Sequence, residues 1–153
     1  MEARGVRMVE ISGKEEVVRE AVAEGFIKLR RETVERIRRG EIEKGDVVAI
    51  AQIAGIQAVK RTWDIVPLCH PIPITGVDVR VEVLDDGVRV VARVRTVART
   101  GVEMEAITGT AAALIAVWDV VKKYEKDERG QYPHTRIEWI RVVRKEKRSA
   151  SRG

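Results

Sequence analysis

Apolar and polar positions change period several times along this chain, and each change marks an element. Residues 8–11 read as a short first strand, and Ser12 with Glu15 has the pattern of a capping box, in which hydroxyl and carboxylate reciprocally satisfy free backbone N–H groups. The helix expected from there carries Val18, Val22, Phe26, Leu29 and Ile37 along one stripe. Its outer face holds Glu15–Arg19, Glu32–Arg36 and Glu35–Arg39 pairs four apart, and Gly40 is its C′ residue. A second helix, over about residues 46–63, is apolar nearly all round, which predicts burial within the domain or between subunits. Pro67, Pro71 and Pro73 then forbid helix and stiffen a loop around Leu68-Cys69-His70.

Period two follows. Val77, Val79, Val81 and Val83 alternate with Asp78, Arg80 and Glu82, and Val88, Val90, Ala92 and Val94 alternate largely with polar residues, notably Arg89, Arg93 and Arg95. Asp85-Asp86-Gly87 between them is the turn of a hairpin. Thr100 and Glu103 suggest another capping box, which would place Glu103 at N3 of a long helix reaching about residue 124. Small residues in it, among them Gly109, Ala112 and Ala116, permit close approach of a neighbour. Gly130 and Pro133 mark a loop, and a last strand is expected over 135–143. The order β-α-α-β-β-α-β describes an α+β sandwich with helices on one face of an antiparallel sheet, ferredoxin-like with one extra helix.

Composition narrows the class. The 153 residues suit one domain spanning 1–153, with no internal repeat or linker. Only 4% are aromatic, so the core must come from Val, Ile, Leu and Ala. The apolar run at 47–59 is interrupted by Gln52 and Gln57 and falls short of the roughly 20 residues a bilayer needs, so no membrane span is expected. No signal-peptide pattern opens the chain, and a single cysteine, Cys69, fits a reducing, cytoplasmic compartment. The net charge of +5 is concentrated: from Arg141 onward six basic residues face one acidic residue, while the rest balances at 23 of each sign. A basic tail over 144–153 could order on an anionic ligand or stay solvated. It lacks the basic face and stacking aromatics of a nucleic-acid binder. The absence of Asn, with only three Gln, leans towards a thermophilic source.

Three places could carry chemistry. Leu68-Cys69-His70-Pro71 sets a thiol beside an imidazole in a proline cage that could frame a flat ring, or it is a buried Cys beside a loop His. Glu103 and Glu105 are two apart on a helix, about 200° of rotation, so they face opposite ways. Glu105, one turn in among small residues, is the better placed for a ligand. Asp119 and Lys122 are three apart on one face, either as a surface ion pair, with Asp119–Lys123 equally available, or as a proton-transfer pair tuning each other's pKa. No zinc-like Cys/His cluster, Gly-rich phosphate loop or Ser-His-Asp pattern occurs, so neither metal nor cofactor is expected.

Lys44-Gly45-Asp46 leading into residues 51–62 (AQIAGIQAVKRT), then Pro67-Leu68-Cys69-His70-Pro71, then residues 100–106 (TGVEMEA) through Trp118-Asp119-Val120-Val121-Lys122 together resemble the MoaC family of cyclic pyranopterin monophosphate synthases. The resemblance covers about residues 18–127. It implies a lyase of molybdenum-cofactor biosynthesis that converts a nucleotide-derived small molecule, 3′,8-cyclo-7,8-dihydroguanosine triphosphate, into cyclic pyranopterin monophosphate and diphosphate. It also implies Asp119 as catalytic carboxylate with Lys122 and Lys44 as partners. Leu68, Cys69, His70, Met104 and Glu105, with Glu103 beside them, correspond to substrate-binding positions, and Lys60 and Arg19 to basic residues around the site. Glu105 and Asp119 lie fourteen residues apart, roughly 21 Å along one helix, and cannot reach the same atoms from one chain. Either they hold distant ends of the substrate or two chains share each site, which agrees with the homohexamer, a trimer of dimers, that the resemblance implies. Where the family often ends in a glycine-rich Lys-Ser-Gly-Gly-Lys-Ser-Gly-like segment, Lys145 to Ser151 keep the charge and lack the glycines. The loop over 128–134 is longer than in many relatives. Rival readings are a nucleotide- or nucleic-acid-binding oligomer gripping its ligand through the tail, and a thiol enzyme using Cys69.

Overall fold

The computed structural model describes residues 4–149. Its elements are β1 (Val17–Lys28), α1 (Arg31–Arg38), α2 (Val47–Lys60), a one-turn α3 (Thr62–Ile65), β2 (Ile74–Leu84), β3 (Gly87–Ala98), α4 (Glu103–Glu125) and β4 (Arg136–Arg148). The four strands form one antiparallel sheet in the order β2-β3-β1-β4, and the helices pack on one face of it. This is a ferredoxin-like α+β arrangement, with the extra helix in the first crossover.

The expected element order holds, but its beginning is assigned differently. Residues 8–11 form no strand, no helix starts at Ser12, and the Ser12–Glu15 capping box does not form: the Ser12 N–H is bonded by the Glu10 carboxylate instead. The stretch expected as one helix from residue 15 to 39 is a strand, Val17–Lys28, followed by the eight-residue α1. The physical reason is that β1 lies inside the sheet and is buried on both faces, so it shows no apolar–polar alternation. Ala21, Ala23 and Ile27 face the helices and are fully buried. On the opposite face Glu20 and Glu24 are buried too, each under arginines. Glu20 accepts from Arg93 (2.8 Å) and Arg95 (2.7 Å), and Glu24 from Arg89 and Arg141. These two glutamates, four apart, imitate the wet face of a helix. Of the expected i,i+4 pairs none forms: Glu32 meets Arg30, Glu35 meets Arg38, and Arg19 donates to the Ala98 carbonyl. Gly40 does follow α1 as its C′ residue, at φ 68°.

The β2–β3 hairpin forms as its alternation predicts, with Leu84 opposite Gly87 across Asp85-Asp86. Val88, Val90, Ala92 and Val94 of β3 pack under α4 through Ala113, Leu114, Val117 and Val121, all fully buried. Each such Val or Leu side chain contributes about 1.5–3 kcal/mol on burial. α2 runs against α4 in the opposite direction: Lys44, just before α2, meets Asp119, whereas Val59 near its end meets Gly109. Gly109 permits this approach, since a Cβ there would lie 2.5 Å from Val59 Cγ2 and 3.1 Å from the Gly55 carbonyl. α2 is buried only on the side of Val47, Ala51, Gly55, Ala58 and Val59; Ile53 is 57% exposed.

α4 begins at Glu103 with Val102 as N-cap, and no side chain caps it, so the Thr100–Glu103 capping box is absent and Glu103 is the first helical residue, not N3. Among the described residues α4, rather than the 47–59 run, is the helix long and apolar enough by composition to cross a bilayer, and half of that stretch is buried inside the fold. Its buried positions are those packed on the sheet and α2. The last strand is longer than expected: Arg144–Arg148 of the basic tail belong to β4 and pair with Val22–Val18 of β1. Residues 150–153 of that tail lie outside the described part.

Candidate active site

The last turns of α4 and the loop between α1 and α2 bring three of the expected residues together. Lys122 sits one turn after Asp119, and its Nζ is 3.0 Å from Asp119 Oδ1. Lys44 arrives from another segment. Ile42 to Gly45 form a β-turn closed by the Gly45 N–H on the Ile42 carbonyl (3.1 Å), and Gly45 takes φ 126°, which an L side chain rarely adopts. Asp46 then caps α2 by accepting the Ala49 N–H. From this turn Lys44 Nζ reaches both Asp119 carboxylate oxygens at 3.2 Å and the Asp119 carbonyl at 3.3 Å. The Lys123 alternative for Asp119 is not used: Lys123 pairs with Glu43.

Two ammonium groups on one carboxylate set its protonation. Hydrogen bonds from Lys122 first and Lys44 next hold the Asp119 carboxyl below the ordinary aspartate value, and Asp119 in turn pushes the Lys122 ammonium up. Asp119 is therefore a carboxylate and Lys122 a proton-bearing ammonium across the neutral range. All three side chains are about half exposed, open to a ligand from solvent.

The other expected residues gather at the opposite end of α4. The Pro67–Pro71 loop is tied by the Cys69 N–H on the Val66 carbonyl (3.0 Å), and His70 Nε2 lies 2.7 Å from the Val9 carbonyl. Glu105, in the first turn of α4, is 4% exposed, and burial, aided by the Glu103 charge, raises its carboxyl above the usual value. Burial and then the Glu105 charge push the Cys69 thiol up, the reverse of what a thiolate nucleophile requires, which weighs against the thiol-enzyme reading. Leu68 and Met104 present exposed apolar surface. Arg19, Gly101, Glu103, Lys145, Glu146 and Lys147 line a cleft of about 170 Å³, so basic residues of β4 stand beside Arg19. Lys60, in the last turn of α2, falls at this same end because α2 runs antiparallel to α4. One chain thus holds two separate groups of candidates, about 21 Å apart along α4.

Clefts of about 330 and 190 Å³ over Glu20, Arg93 and Arg95, on the sheet face away from the helices, include none of the expected residues, whereas a larger one of about 480 Å³ is lined by Arg19, Lys147 and Arg148. Among the described residues no three His, Cys, Asp or Glu side chains converge to hold a metal ion. The loop over 126–135 is built on Asp127, whose carboxylate accepts the Arg129 and Gln131 N–H groups, and it sets the Tyr132 ring edge-on to Trp118. The sequence pointed to neither Glu43 nor Tyr124, and to Lys123 only as a partner for Asp119; together these three bind the Lys44 loop to α4. Their only signal was position, since each adjoins or closely follows a residue already chosen.

The model of the MoaC family matches residues 8–148. A protein of Pyrococcus furiosus named probable cyclic pyranopterin monophosphate synthase is 56% identical over 99% of this chain and 97% of its own length. One of the same name from Sulfolobus acidocaldarius is 59% identical over 90% of this chain and 96% of its own. A Methanothermobacter thermautotrophicus protein named probable cyclic pyranopterin monophosphate synthase accessory protein is 56% identical over 94% and 91% respectively. Thermophilic organisms are thus among the sources of its relatives, in the direction the composition leans.

Proposed function

The chain belongs to the MoaC family, and on that premise we propose that it catalyses the cyclic pyranopterin monophosphate synthase step of molybdenum-cofactor biosynthesis, as a diphosphate-releasing lyase of the cytoplasm. The substrate is 3′,8-cyclo-7,8-dihydroguanosine triphosphate. The observation that supports this most is the convergence of Lys44 and Lys122 on Asp119 from two segments 75 residues apart. A surface ion pair needs one cation; two on one exposed carboxylate fix its position and keep it ionised where a ligand can reach it.

In this reading the aminal of the substrate opens, and the freed amine condenses to close the pterin ring. A ribose hydroxyl then attacks the α-phosphorus. The bond from that phosphorus to the bridging oxygen breaks and diphosphate leaves. Asp119 accepts protons, Lys122 donates them, and Lys44 keeps Asp119 ionised between steps. Lys60, Arg19, Lys145 and Lys147 at the far end of α4 supply cations for the triphosphate. Leu68, Cys69, His70 and Met104 frame the ring system, beside Glu105, whose carboxyl burial raises above the ordinary glutamate value.

Because the two groups lie at opposite ends of one helix, each site combines Glu105 of one chain with Asp119 of another, in a homohexamer built as a trimer of dimers. The exposed Ile53 of α2 and Ile115 of α4 give the helical layer apolar surface for such packing. The test is a single-turnover assay with the cyclised GTP derivative, following diphosphate and the fluorescent oxidised pterin. Both products should form and both should vanish in Asp119→Ala. Tight binding without turnover would instead favour a binding protein.

A further inference from the structure

Lys44 stands in an irregular segment between two helices, yet its ammonium must meet a carboxylate on a third. What fixes that segment is the end of α4. The Tyr124 hydroxyl accepts the Glu43 N–H at 2.9 Å and leans on the Glu41 carbonyl at 3.5 Å. The Lys123 ammonium pairs with the Glu43 carboxylate. The Tyr124 ring is itself held, with the Arg36 guanidinium of α1 4.8 Å from its centroid. Glu43 is the residue before Lys44, and both are the central residues of the turn closed by Gly45 and Ile42. The phenol therefore grips the turn one peptide away from the lysine.

We propose that Tyr124 is a positioning residue for the reaction: by holding the Glu43 N–H it fixes the backbone from which Lys44 reaches Asp119. This rests on the reading of Asp119, Lys44 and Lys122 as the reacting cluster. Of the two ties, the hydroxyl–amide bond carries the effect. Lys123 and Glu43 are mostly exposed, so their pairing is weak and screened by salt, whereas a hydrogen bond to a peptide N–H is not screened. The charged groups around Asp119 are Lys122 on its own helix and Lys44 from the turn, with Glu43 and Lys123 compensating each other beside Lys44. Tyr132, from the 126–135 loop, acts electrostatically on Lys122.

The experiment uses Tyr124→Phe in the full chain, which keeps the ring against Arg36 and removes the hydroxyl. Carbon-13 NMR of aspartate carboxyls, with Asp119 assigned through Asp119→Asn, should show its titration midpoint moving up towards the ordinary aspartate value. Single-turnover diphosphate release should fall roughly tenfold with KM nearly unchanged, the effect of a displaced but present group. Its acid limb should move to higher pH. In a Lys44→Ala background, Tyr124→Phe should add nothing. Glu43→Pro deletes the same hydrogen bond from the donor side at a turn position proline favours, and it should reproduce these effects if Tyr124→Phe folds poorly. An unmoved Asp119 midpoint, or independent multiplication of the Tyr124 and Lys44 effects, overturns the proposal. Should the native protein not turn over the cyclised GTP derivative, the assigned reaction fails while the NMR titration still decides the positioning role.

Discussion

The two ends of α4 each carry a carboxylate, and the chain treats them in opposite ways. Asp119, near the C-terminal end, is 54% exposed and met by two lysines; its carboxyl is pushed down. Glu105, in the first turn, is 4% exposed, with another carboxylate nearby, and its carboxyl is pushed up. Paired cations set the first; burial sets the second. Environments that drive two acids apart in this way are how acid and base roles come to be divided. They stand on one helix, 14 residues apart, in the two separate groups of candidate residues.

The largest expected effect comes from erasing one side of this contrast. Asp119→Ala should lower diphosphate release by about a thousandfold, the scale of a lost acid–base group, with an unchanged circular dichroism spectrum. A comparable loss in Glu105→Ala but none in Asp119→Ala would reverse the assignment of the two ends.

Next comes the anchor of the C-terminal end. Glu125 is buried where α4 stops, and its carboxylate accepts from the Thr33 and Thr135 hydroxyls and the Arg30 N–H. Glu125→Ala strands all three donors and should cost about 2–4 kcal/mol, read as a lower melting temperature. Gly109→Ala acts one turn after Glu105, where α2 and α4 touch. Its methyl would strike Val59 and force α2 off α4, for about 1–3 kcal/mol, and activity should fall beyond the stability loss because Lys44 shifts from Asp119.

The smallest effect is in pH. A carboxyl raised in the folded state binds its proton more tightly there than in the unfolded chain. Glu105 therefore favours folding below its ordinary value of 4.5, and that stability is lost as pH rises through the folded value. Glu105→Gln should then melt higher than the native protein at neutral pH, with the gain vanishing below 4.5. For Asp119 the sign is opposite: its contribution is present above 3.8 and fades as pH falls, so Asp119→Asn should melt slightly lower at neutral pH. Equal melting curves for Glu105→Gln and the native protein from acid to neutral pH would remove the contrast.

Legibility in the sequence divided along physical lines. The β2–β3 hairpin has one face on the core and one towards solvent or arginine, so its period showed. The body of α4 was equally plain, though the capping boxes at Ser12 and Thr100 were patterns without a helix start behind them. β1 was hidden because an inner strand buried on both faces has no alternation, and nothing local says that Glu20 and Glu24 meet arginines on two other strands. In the site, helical spacing joined Asp119 to Lys122 and separated both from Glu105. The meeting of Lys44 with Asp119 is a product of the antiparallel α2–α4 packing, which only the tertiary structure displays. Before that, only the family resemblance indicated it.

The most direct test of the central claim, that each site draws on both ends of α4 from different chains, is complementation. Glu105→Ala and Asp119→Ala proteins, each inactive alone, are dissociated, mixed in equal amounts and reassembled, and diphosphate release is measured against the native protein. Shared sites predict recovery to about a quarter of native activity, since one site in four then pairs an intact Glu105 with an intact Asp119. Mixed assemblies that form and stay inactive would contradict the account.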